Sequence, residues 1–174
     1  MVGRFWVRAW SYLSLWVTQL ISHFESLGGS CNAAPIGIMP SVDNMPSAKF
    51  IFPPNFAAVT ANEMFTVKIA IRHLETSWFT NPNTTYMAAP VGVNAGGDVF
   101  GHSHIVIDKL TGFDQTEPTD PRYFHRFEPL NNPAVDGVLS FDLIGGLEAG
   151  YYRIATFHTG ANHQPSTYIP RSVL

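Results

Sequence analysis

Two short histidine motifs hold the side chains of this chain best suited to chemistry. One is Gly101-His102-Ser103-His104-Ile105-Val106-Ile107; the other is Ala161-Asn162-His163-Gln164-Pro165, with His158 shortly before it. Imidazole is the commonest protein metal ligand, and it binds as the neutral ring. A His-x-His on a strand turns both rings to one face, about 6.5–7 Å apart at their Cα atoms, a span one ion can bridge. The spacing therefore nominates His102, His104 and His163 as ligands for copper or zinc, with His158 as the fourth candidate. Three imidazoles suit Cu²⁺ or Zn²⁺ with water in an open position. The competing reading is structural: a polar strand face, and a hydrogen-bonded Asn-His-Gln-Pro turn that fixes a strand end. His23, His73 and His125 stand apart from both motifs and read as structural or solvent-facing.

Other chemistry is thin. The chain has no Gly-x-Ser-x-Gly elbow, no phosphate loop and no dinucleotide fingerprint, so no catalytic residue is nominated. Asp108, Asp114, Glu117, Asp120, Glu128, Asp136 and Asp142 are scattered. They read as solvated loop charges before they read as a glycosidase pair, whose spacing no sequence can show. Asn83-Thr84-Thr85 is an N-glycosylation sequon in a polar stretch. Trp78, Phe79 and Tyr86 flank it, as a platform for sugar rings or as core aromatics.

Short strands must position these groups. Phe65 to Ile71 alternates, with Phe65, Val67, Ile69 and Ile71 on one side. Val138 to Leu143 does the same through Leu139, Phe141 and Leu143. Lys49 to Phe52, Tyr86 to Val93 (interrupted by Pro90), Val99 to Lys109, Phe124 to Phe127 and Tyr151 to His158 complete the set. On the strand after Gly101 the better core face is Ser103, Ile105 and Ile107, which sends His102 and His104 outward or toward a pocket at the sheet edge. Leu147-x-Ala149-Gly150-x-Tyr152 resembles a tyrosine corner, in which a Tyr just inside a strand bonds back across the preceding turn. The expected fold is all-β, an immunoglobulin-like sandwich of about seven strands over 49–174. A loop-rich arm at 28–48 and an atypical apolar segment at 1–27 precede it.

Within that segment Arg4 and Arg8 lead an uncharged stretch from Ala9 to Ser22. It reads equally as a degenerate secretion signal and as an amphipathic helix packed on the domain or on a membrane surface, the one place where membrane contact is expected. The whole chain has 174 residues, 13% charged against about 25% in average globular chains. Its surface must rely on uncharged polar residues, a habit that suits an extracellular or cell-wall protein. A net charge of −3 without a basic run argues against nucleic acid as a partner. One cysteine, Cys31, excludes an internal disulfide.

A family resemblance rests on an ordered series of motifs: Gly29-Ser30-Cys31-Asn32, Pro40-Ser41-Val42-Asp43-Asn44-Met45-Pro46-Ser47, Lys49-Phe50, Tyr86-Met87-Ala88-Ala89-Pro90, Gly101-His102-Ser103-His104 and Asn162-His163-Gln164-Pro165. Together they resemble an uncharacterised family of small secreted proteins from mushroom-forming (basidiomycete) fungi. The resemblance implies an extracellular protein behind a signal peptide and implies no activity. The leading expectation is a secreted, non-catalytic protein that binds copper or zinc through its histidines. The alternatives are a module for cell-wall polysaccharide with structural histidines, and a metal-dependent extracellular enzyme.

Overall fold

A computed structural model describes residues 35–81 and 89–164 of the chain. The expected signal or helix at 1–24, Cys31, His23 and the Asn83 sequon lie outside the described residues. Among those described there are seven strands and one 3-10 turn, Val42–Asn44. The strands are β1 (Ser47–Phe52), β2 (Phe65–Arg72), β3 (Leu74–Glu75), β4 (Val99–Leu110), β5 (Arg126–Leu130), β6 (Val138–Leu143) and β7 (Tyr151–Gly160).

They form two sheets. The first has the order β1-β2-β6, antiparallel throughout. In the second, β4 is central: β5 and β7 both pair with residues 103–107 and therefore occupy its two edges. β3 adds a two-residue parallel pairing to Val99 and Phe100. Period-two alternation supplies the core, as the sequence predicts. Val67, Ile69, Leu139 and Leu143 from the first sheet and Ile105 and Ile107 from the second join one buried cluster.

Three boundaries differ from expectation. β1 starts at Ser47, directly after Pro46. The strand expected at Phe124 to Phe127 begins at Arg126 and runs through Pro129 to Leu130. A proline lacks the N–H that a central strand needs, and among the described residues β5 pairs only with β4, an edge position that tolerates it. In the described part of the segment expected as a strand around Pro90, Val91 and Val93 make single bridges, to Gly37 and Val99.

The tyrosine corner forms: Tyr152 donates its hydroxyl hydrogen to the Glu148 carbonyl at 3.1 Å. That bond fixes the turn from β6 into β7, and so sets which β7 residue faces which β4 residue.

Candidate metal centre

The site grows from the pairing of β4 with β7. Gly101 stands opposite Gly160, His102 opposite Thr159, Ser103 opposite His158 and His104 opposite Phe157. A Cβ at position 101 would collide with the Thr159 carbonyl, so only glycine lets β7 approach closely enough for this register. Beyond Gly160 the chain turns back over the sheet. The Gly160 amide donates to the Gln164 carbonyl, and the His163 amide to the Gly160 carbonyl. Asn162, 1% exposed, pins the turn by donating to the Ala89 carbonyl and accepting from the Gln164 amide. His163 takes a φ of 66° at this turn.

The turn brings His163 onto His102 and His104. One ring nitrogen from each lies within 4.8 Å of the others, and the Nε2 atoms of His102 and His163 are 3.0 Å apart. Two nitrogens bound to one ion at about 2.0–2.1 Å are about 2.9 Å apart at a right angle and about 3.4 Å apart at the tetrahedral angle. The His102–His163 pair already has a ligand-like separation. Two such bonds span about 4.2 Å only when collinear, so a separation near 4.8 Å closes by a few tenths of an ångström per ring for a trans pair and by about 0.7 Å per ring for a tetrahedral one.

The two strand histidines do lie on the face opposite the core, but that face is covered. His102 is 1% exposed and His104 4%. Of the two expected directions, outward or toward a pocket at the sheet edge, the outward one is therefore corrected: the returning turn and two phenylalanines shield them. His104 is stacked between Phe157 (centroids 4.6 Å apart) and Phe127 (5.3 Å). Burial holds both rings in the neutral form. It lowers the pKa of His102, against a smaller opposing pull from the bond to Trp78. It pushes His104 down to about 4, helped by the neighbouring histidines.

The orientation of His102 is fixed from outside. Its Nδ1 lies 2.9 Å from the Trp78 carbonyl. A carbonyl only accepts, so Nδ1 carries the proton and Nε2 presents its lone pair to the cluster. The Trp78 indole donates to Glu75 at 3.0 Å, and Asn94 donates to the other oxygen of the same carboxylate at 2.8 Å. Such outer contacts are what hold a ligating imidazole at a metal. Two buried polar atoms here lack a hydrogen-bond partner: His104 Nδ1, and the hydroxyl of Thr159 directly across from His102.

His158 does not join the cluster. Paired with Ser103, it lies on the core side, where its Nδ1 meets the Ser103 hydroxyl at 3.1 Å. Its removal from the ligand set follows from the register, which a single strand's spacing does not reveal. His73 pairs with Asp98 at 2.9 Å and His125 packs on the Tyr152 ring, so neither contributes. Sequence reasoning missed Phe127, Phe157, Thr159 and Glu75. The alternation along β7 did carry a signal for Phe157 and Thr159, because it puts them on the face opposite His158.

Residues 48–170 match a family model described as the CLU5d N-terminal domain. A curated relative, pathogenicity cluster 5 protein d of the fungus Colletotrichum graminicola, is 34% identical over 150 residues. The match covers 84% of this chain and 31% of the relative, so the chain spans about a third of that protein's length. No solved structure matches.

Proposed function

The chain belongs to the CLU5d N-terminal domain family, and from that premise we propose that it is a metal-binding β-sandwich domain holding copper or zinc through His102, His104 and His163. The observation that carries this reading is the convergence of three imidazoles, two of them buried, with ligand atoms within 4.8 Å of one another. Support comes from the fixed tautomer of His102 and from the unpartnered Nδ1 of His104. The test is calorimetric titration of the full chain with Cu²⁺ and Zn²⁺ near pH 7. Saturable one-site binding is expected, lost in His102→Ala, His104→Ala and His163→Ala and kept in His158→Ala. No saturable binding of either ion by the wild type overturns the reading.

The finer fold reading is immunoglobulin-like. β1, β2 and β6 stand where strands A, B and E stand in such domains, and β4, β5 and β7 where C, C′ and F stand. The tyrosine corner at the start of β7 has the place it has at the start of strand F. The domain works outside the cell in this reading, as the resemblance to secreted proteins of mushroom-forming fungi implies, and Asn83 carries a glycan there.

One observation favours a second reading, attachment to cell-wall polysaccharide. Trp78 and Phe79 are 47% and 54% exposed, and the Trp78 indole is held in place by Glu75. Retention on insoluble chitin or β-glucan, lost in Trp78→Ala, would support it; free passage through both would remove it.

A further inference from the structure

At the end of the sandwich away from the histidines, the two sheets part around a cavity of about 540 Å³. Between the sheets, Val67, Ile69, Ile107 and Leu139 are at 0% exposure. At this end Phe50, Phe65, Tyr152 and Ile154 line the cavity and are only partly buried. Rings that could fill the space stand at its lip. Phe56 is 81% exposed and Phe113 57%. They meet edge to face at 5.5 Å, and Phe113 meets Tyr151 the same way at 4.9 Å.

Phe56 also has a φ of 62°. For a bulky L residue that left-handed conformation is costly and persists only where the surroundings enforce it. The chain thus holds an apolar ring in water on strained backbone, at the edge of an apolar cavity. A ligand that covers the ring offsets the exposure.

The lip also selects by charge. Arg153 is paired with Asp108 at 2.8 Å and bonded to Thr119, and Lys109 is paired with Glu148 at 3.2 Å. With these charges matched among themselves, the cavity favours a neutral guest. Its walls are proline, alanine, valine, leucine and aromatic rings with few polar groups, which suits a hydrocarbon body better than a sugar's hydroxyls. The volume falls within the range of about 300–1,000 Å³ usual for small-molecule sites. We propose that this cavity binds a small, neutral, largely hydrocarbon molecule bearing an aromatic ring, clasped by Phe56, Phe113 and Tyr151.

The experiment is a fluorescence titration of the full chain with N-phenyl-1-naphthylamine, a neutral aromatic probe that brightens in apolar surroundings. Saturable enhancement is expected for the wild type. Phe56→Ser and Phe113→Ser are expected to weaken it about tenfold or more, and Ala58→Trp, which places a ring into the cavity from its exposed wall, to suppress it. Phe56→Gly accepts the positive φ while removing the ring, so the result does not hang on one variant's folding. Absence of saturable enhancement overturns the proposal. So does enhancement that Phe56→Gly and Ala58→Trp leave unchanged, because the probe then sits elsewhere. Displacement of the probe by cellohexaose overturns it in favour of a sugar site.

Discussion

At the scale of single residues, His104 has the least ordinary position in the molecule. It is an imidazole stacked between two phenylalanines, with a buried nitrogen that no protein group satisfies. Its pKa is lowered to about 4, first by burial and then by His102, His163 and His158. In the unfolded chain it titrates near 6.5. The unfolded state therefore binds more protons between those values, and stability rises with pH across the window. The contribution is complete above about pH 6.5 and falls away as pH drops toward 4, by about 3 kcal/mol for His104. Urea denaturation of the metal-free protein at pH 7.5, 5.5 and 4.5 should show this decline. His104→Phe, which keeps the stack and removes the titrating group, should make it shallower, with His102 and His158 leaving the remainder, and should also abolish metal binding; an equally steep decline in that variant would place the acid sensitivity elsewhere. Glu75 acts one step further out, through the Trp78 carbonyl that fixes His102. In Glu75→Gln one carboxylate oxygen becomes an amide that cannot accept, so either Trp78 or Asn94 loses its partner. Metal affinity should fall about tenfold with the fold intact, as substitutions behind a ligating histidine usually cause. Unchanged affinity would show that Trp78 needs no such hold. The residue types of this site were legible in the sequence; their tautomers and the coverage of the face were not, because both depend on elements distant in the chain.

At the scale of elements, the site depends on one register. Tyr152 fixes the start of β7, and Gly101 permits its close approach at the other end. Tyr152→Phe removes one hydrogen bond and should cost about 1 kcal/mol, read as a shift in denaturation midpoint at constant slope. Gly101→Ala forces a Cβ against the Thr159 carbonyl, so it should cost more, about 2–4 kcal/mol, and also weaken metal binding, because His102 is the next residue. If Gly101→Ala were milder than Tyr152→Phe, the close approach would not be what sets the register. The strands with clean alternation, β2 and β6, were legible because each has one face in the core; β4, buried on both faces, was legible as a long run rather than by its period. β3 was not: two residues carry no period, and their pairing to β4 is made by chain more than twenty residues away. The fate of His158 was illegible for a related reason. Its strand and its facing neighbours could be read, but whether Ser103 or His102 stands opposite depends on how β7 is offset along β4, and that follows from the tyrosine corner and the glycine pair rather than from His158 itself.

At the scale of the whole molecule, β4 spans both candidate sites. His102 and Leu110 are eight residues apart on this strand, about 26 Å, with the histidines near one end and the apolar cavity near the other. An ion at the histidine end would join β4 to the turn after β7, tying together residues 61 apart in sequence. Because the ligands converge only in the folded chain, binding must stabilise the fold by mass action, by about 2.7 kcal/mol at a free metal concentration 100 times Kd. For a domain of this size that is roughly 5–10 °C in Tm. The added stability should be global, since both sheets share one core and no separate unit exists to melt first among the described residues. Events at the cavity should not feel the ion. Sites this far apart with no shared partners combine additively, and the strands between them, buried on the core side, transmit no change unless they have a second arrangement to adopt. Thermal melting with Cu²⁺ and then with excess chelator should therefore move Tm up and back in the wild type and leave it fixed in His163→Ala. Binding of the naphthylamine probe should keep the same midpoint under both conditions. A midpoint that shifts with the metal would mean that β4 and β7 slide or repack as a unit, making the sheet they share the two-state element.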